Sequence, residues 1–163
     1  MATTRRPAPS RLQAELHQAA RFHSAQQEGA IGIVRTADVL KRRFVGLVEP
    51  HGISGQQYNV LRILRGAAPE KLPTLEIAER MIERAPGITR LLDRLERKGL
   101  VSRERCASDR RQVLCGITPA GRKLLEILDG PIDKADDEAL GAISAADLMA
   151  LIRILDAIRK HHA

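Results

Sequence analysis

A chain of 163 residues has the length of one domain, and its 44% hydrophobic and 29% charged residues allow a packed core and exclude wholesale disorder. With no apolar run of about 18 residues or more and only two cysteines, neither a membrane span nor a disulfide scaffold is expected. Lysine and arginine outnumber aspartate and glutamate 27 to 20, and the net charge of +7 is uneven: +4 over residues 1–53, +5 over 54–117 and −2 over 118–163.

Residues 1–9 read as a flexible polar tail without the apolar stretch of a secretory leader, so a cytoplasmic protein is the expectation. Ser10 and Gln13 form a capping-box pattern that predicts a first helix carrying Leu12, Leu16, Ala19, Ala20 and Phe22, reaching about residue 27. Gly29 and Gly32 punctuate it. Ile33, Ala37, Leu40, Phe44, Leu47 and Val48 recur at helical spacing and predict a second helix from about Ile33 to Val48, ended by Glu49-Pro50-His51-Gly52.

Ser54 and Gln57 repeat the capping pattern and open a helix burying Tyr58, Val60, Leu61 and Leu64, with a loop over 66–73. Thr74 is expected to cap a short helix with Leu75, Ala78, Met81 and Ile82 inward. Pro86 suits the first position of the next helix, which carries Ile88, Leu91, Leu92 and Leu95 on one side and stops at Gly99. The period then changes to two: 100–106 and 112–117 read as strands around a polar tip. Thr118-Pro119 opens a further helix, with a kink or break expected at Gly130-Pro131, and Ser144 opens the last one along Leu148, Leu151, Ile152, Leu155 and Ile158.

Three helices followed at once by a hairpin is the order of a winged helix-turn-helix, whose third helix enters the major groove. The chemistry agrees. Residues 84–111 carry nine basic side chains (Arg84, Arg90, Arg94, Arg97, Lys98, Arg103, Arg105, Arg110 and Arg111) against Asp93, Glu96, Glu104 and Asp109. Arginine forks match both guanine edges and phosphates. Thr89 and Arg90 fall in the first turn, where base edges are approached. Arg110 and Arg111 would repel each other at a hairpin tip unless a phosphate or a narrow minor groove relieved them.

The segments Gly52-Ile53-Ser54, Tyr58-Asn59-Val60-Leu61, Leu75-Glu76-Ile77-Ala78, the run from Pro86 to Val101, Asp109-Arg110-Arg111 and Ile117-Thr118-Pro119-Ala120-Gly121 together resemble the MarR family of regulators. The resemblance implies a mainly α fold: a winged helix-turn-helix DNA-binding lobe over 54–117, with dimerisation helices over 10–53 and 118–163. It implies a homodimeric transcription factor, often a repressor, released from its DNA operator by a small ligand or by oxidation. Arg90 matches a base-contacting position, and Asp109-Arg110-Arg111 matches the wing, where an arginine enters the minor groove and the aspartate orients basic side chains. The full set expected at DNA is Arg84, Pro86, Gly87, Thr89, Arg90, Arg94, Asp109, Arg110 and Arg111. Family ligands sit between the dimerisation helices and the winged helix, which directs attention to Arg35, His51 and Tyr58.

The bland readings stand beside these. Asp109 also suits an ordinary turn, and Arg97 and Lys98 could merely pair with Asp93 or Glu96. Cys115 is expected opposite Ser102 and Cys106 opposite Arg111, too far apart for a disulfide. The oxidation-sensing branch of the family has its thiol near the chain start, where this sequence has none. His17, His23, His51, His161 and His162 show no metal-ligand spacing, and no nucleophile or acid–base constellation appears, so neither metal, cofactor nor enzymatic activity is expected. A protein–protein adaptor and a nonspecific DNA-binding protein are the alternatives to an operator-binding regulator.

Overall fold

The computed structural model describes residues 10–83, 87–106, 108, 109 and 111–161. The chain falls into two compact units, Met1–Arg42 and Arg43–Ala163.

In the first unit, Ser10 Oγ accepts from the Gln13 N–H at 3.2 Å and starts α1, Arg11–Glu15. The expected helix through residue 27 is not formed. His17 adopts a left-handed φ of 50°, and the buried Gln13 amide donates to the carbonyls of Gln18 and Ala20 at 3.2 Å each. Those bonds satisfy main-chain groups that a continuing helix would have paired internally. A second start follows at Ser24, whose Oγ accepts from Gln27 N at 3.1 Å, while Gln27 Oε1 accepts from His23 N at 2.7 Å. Helix α2 therefore runs Ala25–Val48, straight through Gly29 and Gly32. An interior glycine costs about 1 kcal/mol relative to alanine, which a helix this long absorbs.

The second unit opens with the end of α2, a 3₁₀ turn Glu49–His51 and Gly52 at φ 73°. Helix α3, Gly55–Ala67, carries both capping-box bonds, Gln57 N to Ser54 Oγ at 3.3 Å and Ser54 N to Gln57 Oε1 at 3.0 Å. It passes Gly66, where a loop was expected, and buries Tyr58, Val60, Leu61 and Leu64 as anticipated. A two-residue strand β1, Leu72–Pro73, precedes α4, Thr74–Arg80.

Two expectations for α4 fail together. Thr74 is not the cap: it is the first helical residue, and its hydroxyl donates to Val113 O at 3.4 Å. The face turned inward is then Thr74, Ile77, Ala78 and Met81, with Ile77 fully buried, while Leu75 and Ile82 are exposed. Helix α5, Ile88–Arg97, follows Gly87 at φ 102° and stops at Gly99 at φ 68°.

Strands β2, Val101–Arg105, and β3, Val113–Ile117, form the expected hairpin, and β1 joins it in the antiparallel order β1-β3-β2. The register places Arg103, not Ser102, opposite Cys115. Thr118 then couples the hairpin to the next helix. Its N–H donates to Leu100 O at 3.1 Å, its hydroxyl to Gly99 O at 2.7 Å, and its Oγ1 accepts from Gly121 N at 3.1 Å.

Helix α6, Pro119–Leu140, contains Pro131 without a break. Gly130 has no Cβ to meet the proline ring, and the buried Leu128 and Ile132 hold both sides. Helix α7, Ala145–His161, is capped by Ser144 Oγ accepting from Asp147 N at 3.1 Å and has no buried residue.

The core joins Leu61 and Leu64 of α3, Ile77 of α4, Leu92 and Leu95 of α5, Val101 and Cys115 of the hairpin, and Leu125 and Leu128 of α6. Each large aliphatic side chain buried there contributes about 1.5–3 kcal/mol. Among the described residues, no helix is long and apolar enough to cross a membrane.

Candidate nucleic-acid interface

Helix α5 has three faces, set by its periodicity. Leu92 and Leu95 are buried, with Ile88 half-buried beside them. Arg90, Arg94 and Arg97 follow at spacings of four and three and are exposed together. Thr89, Asp93 and Glu96 form the third face, and two of these meet the hairpin. Arg103 of β2 donates through Nε to Glu96 Oε2 at 2.9 Å, and its Nη1 lies 2.7 Å from Asp93 Oδ1. Hydrogen bonding to Glu96, with a further bond to Asp93, holds the Arg103 guanidinium above its ordinary pKa against the opposing effect of burial. The acids of α5 therefore pair with Arg103. Arg97 instead donates to the main-chain O of Asp93 at 3.4 Å, and Lys98 bonds the carbonyl of Gly52.

A cavity of about 800 Å³ opens between α4, the start of α5 and the hairpin, lined by Thr74, Leu75, Ile88, Thr89, Arg103 and Arg111 among others. Thr89 and Arg111, singled out separately in the sequence, thus share one recess. Arg94 lies in another, of about 380 Å³, with Arg97, Lys98, Gly52 and Gln57. At the hairpin tip Asp109 Oδ1 accepts from the main-chain N–H of Arg111 at 3.0 Å. This is an aspartate turn bond to the backbone. Gly87 supplies the left-handed residue before α5. Arg84, Pro86 and Arg110 lie outside the described residues.

The three residues expected at a ligand divide between the units. Arg35 belongs to the first, 3.8 Å from Asp38, with its Nε buried and without a hydrogen-bond partner. His51 is exposed in the second. Tyr58 is a core residue: its ring meets Phe44 edge-on at 5.1 Å, and its hydroxyl accepts from Arg62 Nη1 at 3.0 Å.

Cys115 is fully buried, 3.9 Å from Thr74 Oγ1, and burial pushes its thiol pKa up. Cys106 is partly exposed, and its bond with Ser108 lowers its thiol pKa. Among the described residues no group of three His, Cys, Asp or Glu side chains is placed to hold a metal ion.

Sequence reasoning missed two things here. In the sequence Arg103 is one more basic residue, and only its alternation with Val101 in β2 hints that it turns inward. The fork from Arg65 to Asp129, at 2.7 and 2.9 Å between α3 and α6, had no local signal because 64 residues separate the pair. That bond, partly opposed by burial, lowers the Asp129 pKa and, on the arginine, raises that of Arg65.

The crystallised MarR transcription factor of Planctomyces limnophilus is 42% identical to this chain, covers 84% of it and is itself 99% covered, with a TM-score of 0.65. The MarR family model also matches residues 53–113. The chain belongs to the MarR family. As a MarR winged helix it also shares its fold with MepR of S. aureus, crystallised with DNA, at 23% identity (81% of this chain, 96% of that one, TM-score 0.75). BpsR of Bordetella bronchiseptica, described with its regulation by 6-hydroxynicotinic acid, matches at 21% identity (86% and 98%, TM-score 0.73). In MarR terms α5 is the recognition helix and the β2–β3 hairpin is the wing.

Proposed function

We propose that this MarR-family chain is a sequence-specific DNA-binding repressor of transcription, acting in the cytoplasm as a homodimer on a pseudo-palindromic operator and released by a small-molecule effector. The observation that carries the reading is the exposed arginine face of α5 in a winged helix whose opposite face is anchored in the core. Arg90, near the start of that helix, reads a base edge, and Thr89 and Arg94 extend the contact. Arg84, Pro86 and Gly87 approach the phosphates before it. An arginine of the wing, Arg110 or Arg111, enters the minor groove, with Asp109 shaping the turn at Arg111. The DNA held by MepR supports this reading.

Residues 10–53 and 118–163 are assigned to dimerisation and 54–117 to DNA. Exposed apolar side chains along α7, among them Leu151, Ile152 and Ile158, support a second copy as their cover. Two recognition helices would then reach successive major grooves about 34–36 Å apart. The regulation of BpsR by a small aromatic acid supports an effector here, with Arg35, His51 and Tyr58 the residues to vary.

The test is a titration of the purified protein with a duplex selected from fragments of its source genome, against an unrelated duplex, over a range of salt. Preference for the selected duplex of about 10³ or more supports the operator reading. Equal affinity for both identifies a nonspecific binder, and no binding identifies a protein–protein adaptor.

A further inference from the structure

The charge of Arg103 is directed inward. Its side chain is 24% exposed, and its fork reaches Asp93 and Glu96, which share one face of α5. Two carboxylates on a helix that approaches phosphates would repel them, and Arg103 pairs with both. The same contact ties α5 to β2, so the recognition helix and the wing are joined by a side-chain bridge as well as by the turn through Gly99. A planar fork engaging two carboxylates fixes an angle, whereas a lysine supplies only a point charge.

We propose that Arg103 is a positioning residue, a strut that sets the wing relative to the recognition helix and does not itself touch DNA. The proposal rests on the DNA reading above. Its consequence is that operator preference depends on this strut while general attraction to DNA does not. If helix and wing engage different grooves, a change in their mutual angle mismatches one of them on the operator. On unrelated DNA there is no register to lose.

The experiment uses the full-length protein carrying Arg103→Lys and, separately, Asp93→Asn with Glu96→Gln. Each is titrated with the selected and the unrelated duplex, and hydrogen exchange is followed at the wing amides of Cys106 and Gln112, which bond to Gln112 O and Asp109 O. With Arg103→Lys, affinity for unrelated DNA and its salt dependence should hold. Operator preference should fall about tenfold, the discrimination of roughly one base contact. With the Asn/Gln pair, two repelling charges are gone, so unrelated DNA should bind more tightly while operator preference falls. Both variants should speed exchange at the wing.

A lysine variant indistinguishable from wild type in preference and exchange overturns the strut. So does a pair variant whose two affinities rise in parallel. Wild type without operator preference, combined with faster wing exchange in the variants, sinks the operator reading and leaves the mechanical bridge standing.

Discussion

Replacing Gly121 by alanine would place a methyl group 2.3 Å from the carbonyl oxygen of Leu100 and 2.9 Å from Ile117 Cγ1. The first gap must open by about 0.7 Å merely to reach 3.0 Å, the shortest approach real Cβ atoms make. Neither neighbour is free to yield. The Leu100 oxygen accepts from Thr118 N at 3.1 Å, and Thr118 also caps α6, so a shift there disturbs the joint between the hairpin and the helix. Forcing a methyl group into a packed site costs about 1–3 kcal/mol, and a weakened main-chain hydrogen bond adds about 1 kcal/mol. Against this stands the better helix propensity of alanine, worth about 1 kcal/mol at most. The net expectation for Gly121→Ala is a destabilisation of about 1–3 kcal/mol. Gly46 in α2 supplies the control, because a Cβ there meets nothing within 4 Å, and Gly46→Ala should stabilise by roughly 0.5–1 kcal/mol. Urea unfolding followed by far-ultraviolet circular dichroism, at one fixed chain concentration, reads both. Gly121→Ala as stable as wild type, or stabilised like Gly46→Ala, would refute the steric reasoning.

Asp129 has a lowered pKa in the folded chain, so it contributes stability that is present above the unfolded carboxylate pKa of about 4 and is lost as pH falls through the lower folded value. Asp129→Asn should be less stable than wild type at neutral pH and should show a shallower loss below about pH 4, measured by urea midpoints across pH. Arg90→Ala should weaken operator binding by about 1–3 kcal/mol and relax base preference at one position, whereas Arg111→Ala should weaken all DNA binding and reduce the salt slope by about one. An Arg90→Ala protein with unaltered preference in a base-by-base competition would remove Arg90 from the base-reading role. Ile152→Glu, in the exposed apolar stripe of α7, should shift the protein toward monomer in sedimentation equilibrium; an unaltered assembly would exclude that stripe as the contact.

The winged helix was legible because its signals are local. Ser54 and Gln57 satisfy each other within one turn, Gly99 takes the left-handed residue that ends α5, and the change of period after it marks the hairpin. The arginine face of α5 follows from spacing alone. The failures have a different character. The stop at His17 depends on Gln13 reaching forward to two carbonyls, and the start at Ser24 competes with glycines that look like breakers but cost little in a long helix. At Thr74 the hydroxyl chose a strand 39 residues away over the nearby helix N–H groups, which moved the start of α4 and its buried face. β1 is two residues long, too short for alternation to register, and exists because β3 has an open edge beside it. In the candidate site, residue types were legible and pairings were not: which of nine basic side chains turns toward Asp93 and Glu96 is decided by the hairpin register.

Helix α7 spans 17 residues and buries none of them within its own chain. An isolated helix of about that length is marginal in water, since nucleation is costly and few hydrogen bonds repay it. In the proposed homodimer its order would come from association, and melting of this segment and separation of the subunits would become one equilibrium. Its helical signal should fade on dilution, and its melting midpoint should climb with the logarithm of chain concentration, while the lobe built on Leu61, Leu92 and Leu125 melts at a temperature indifferent to dilution.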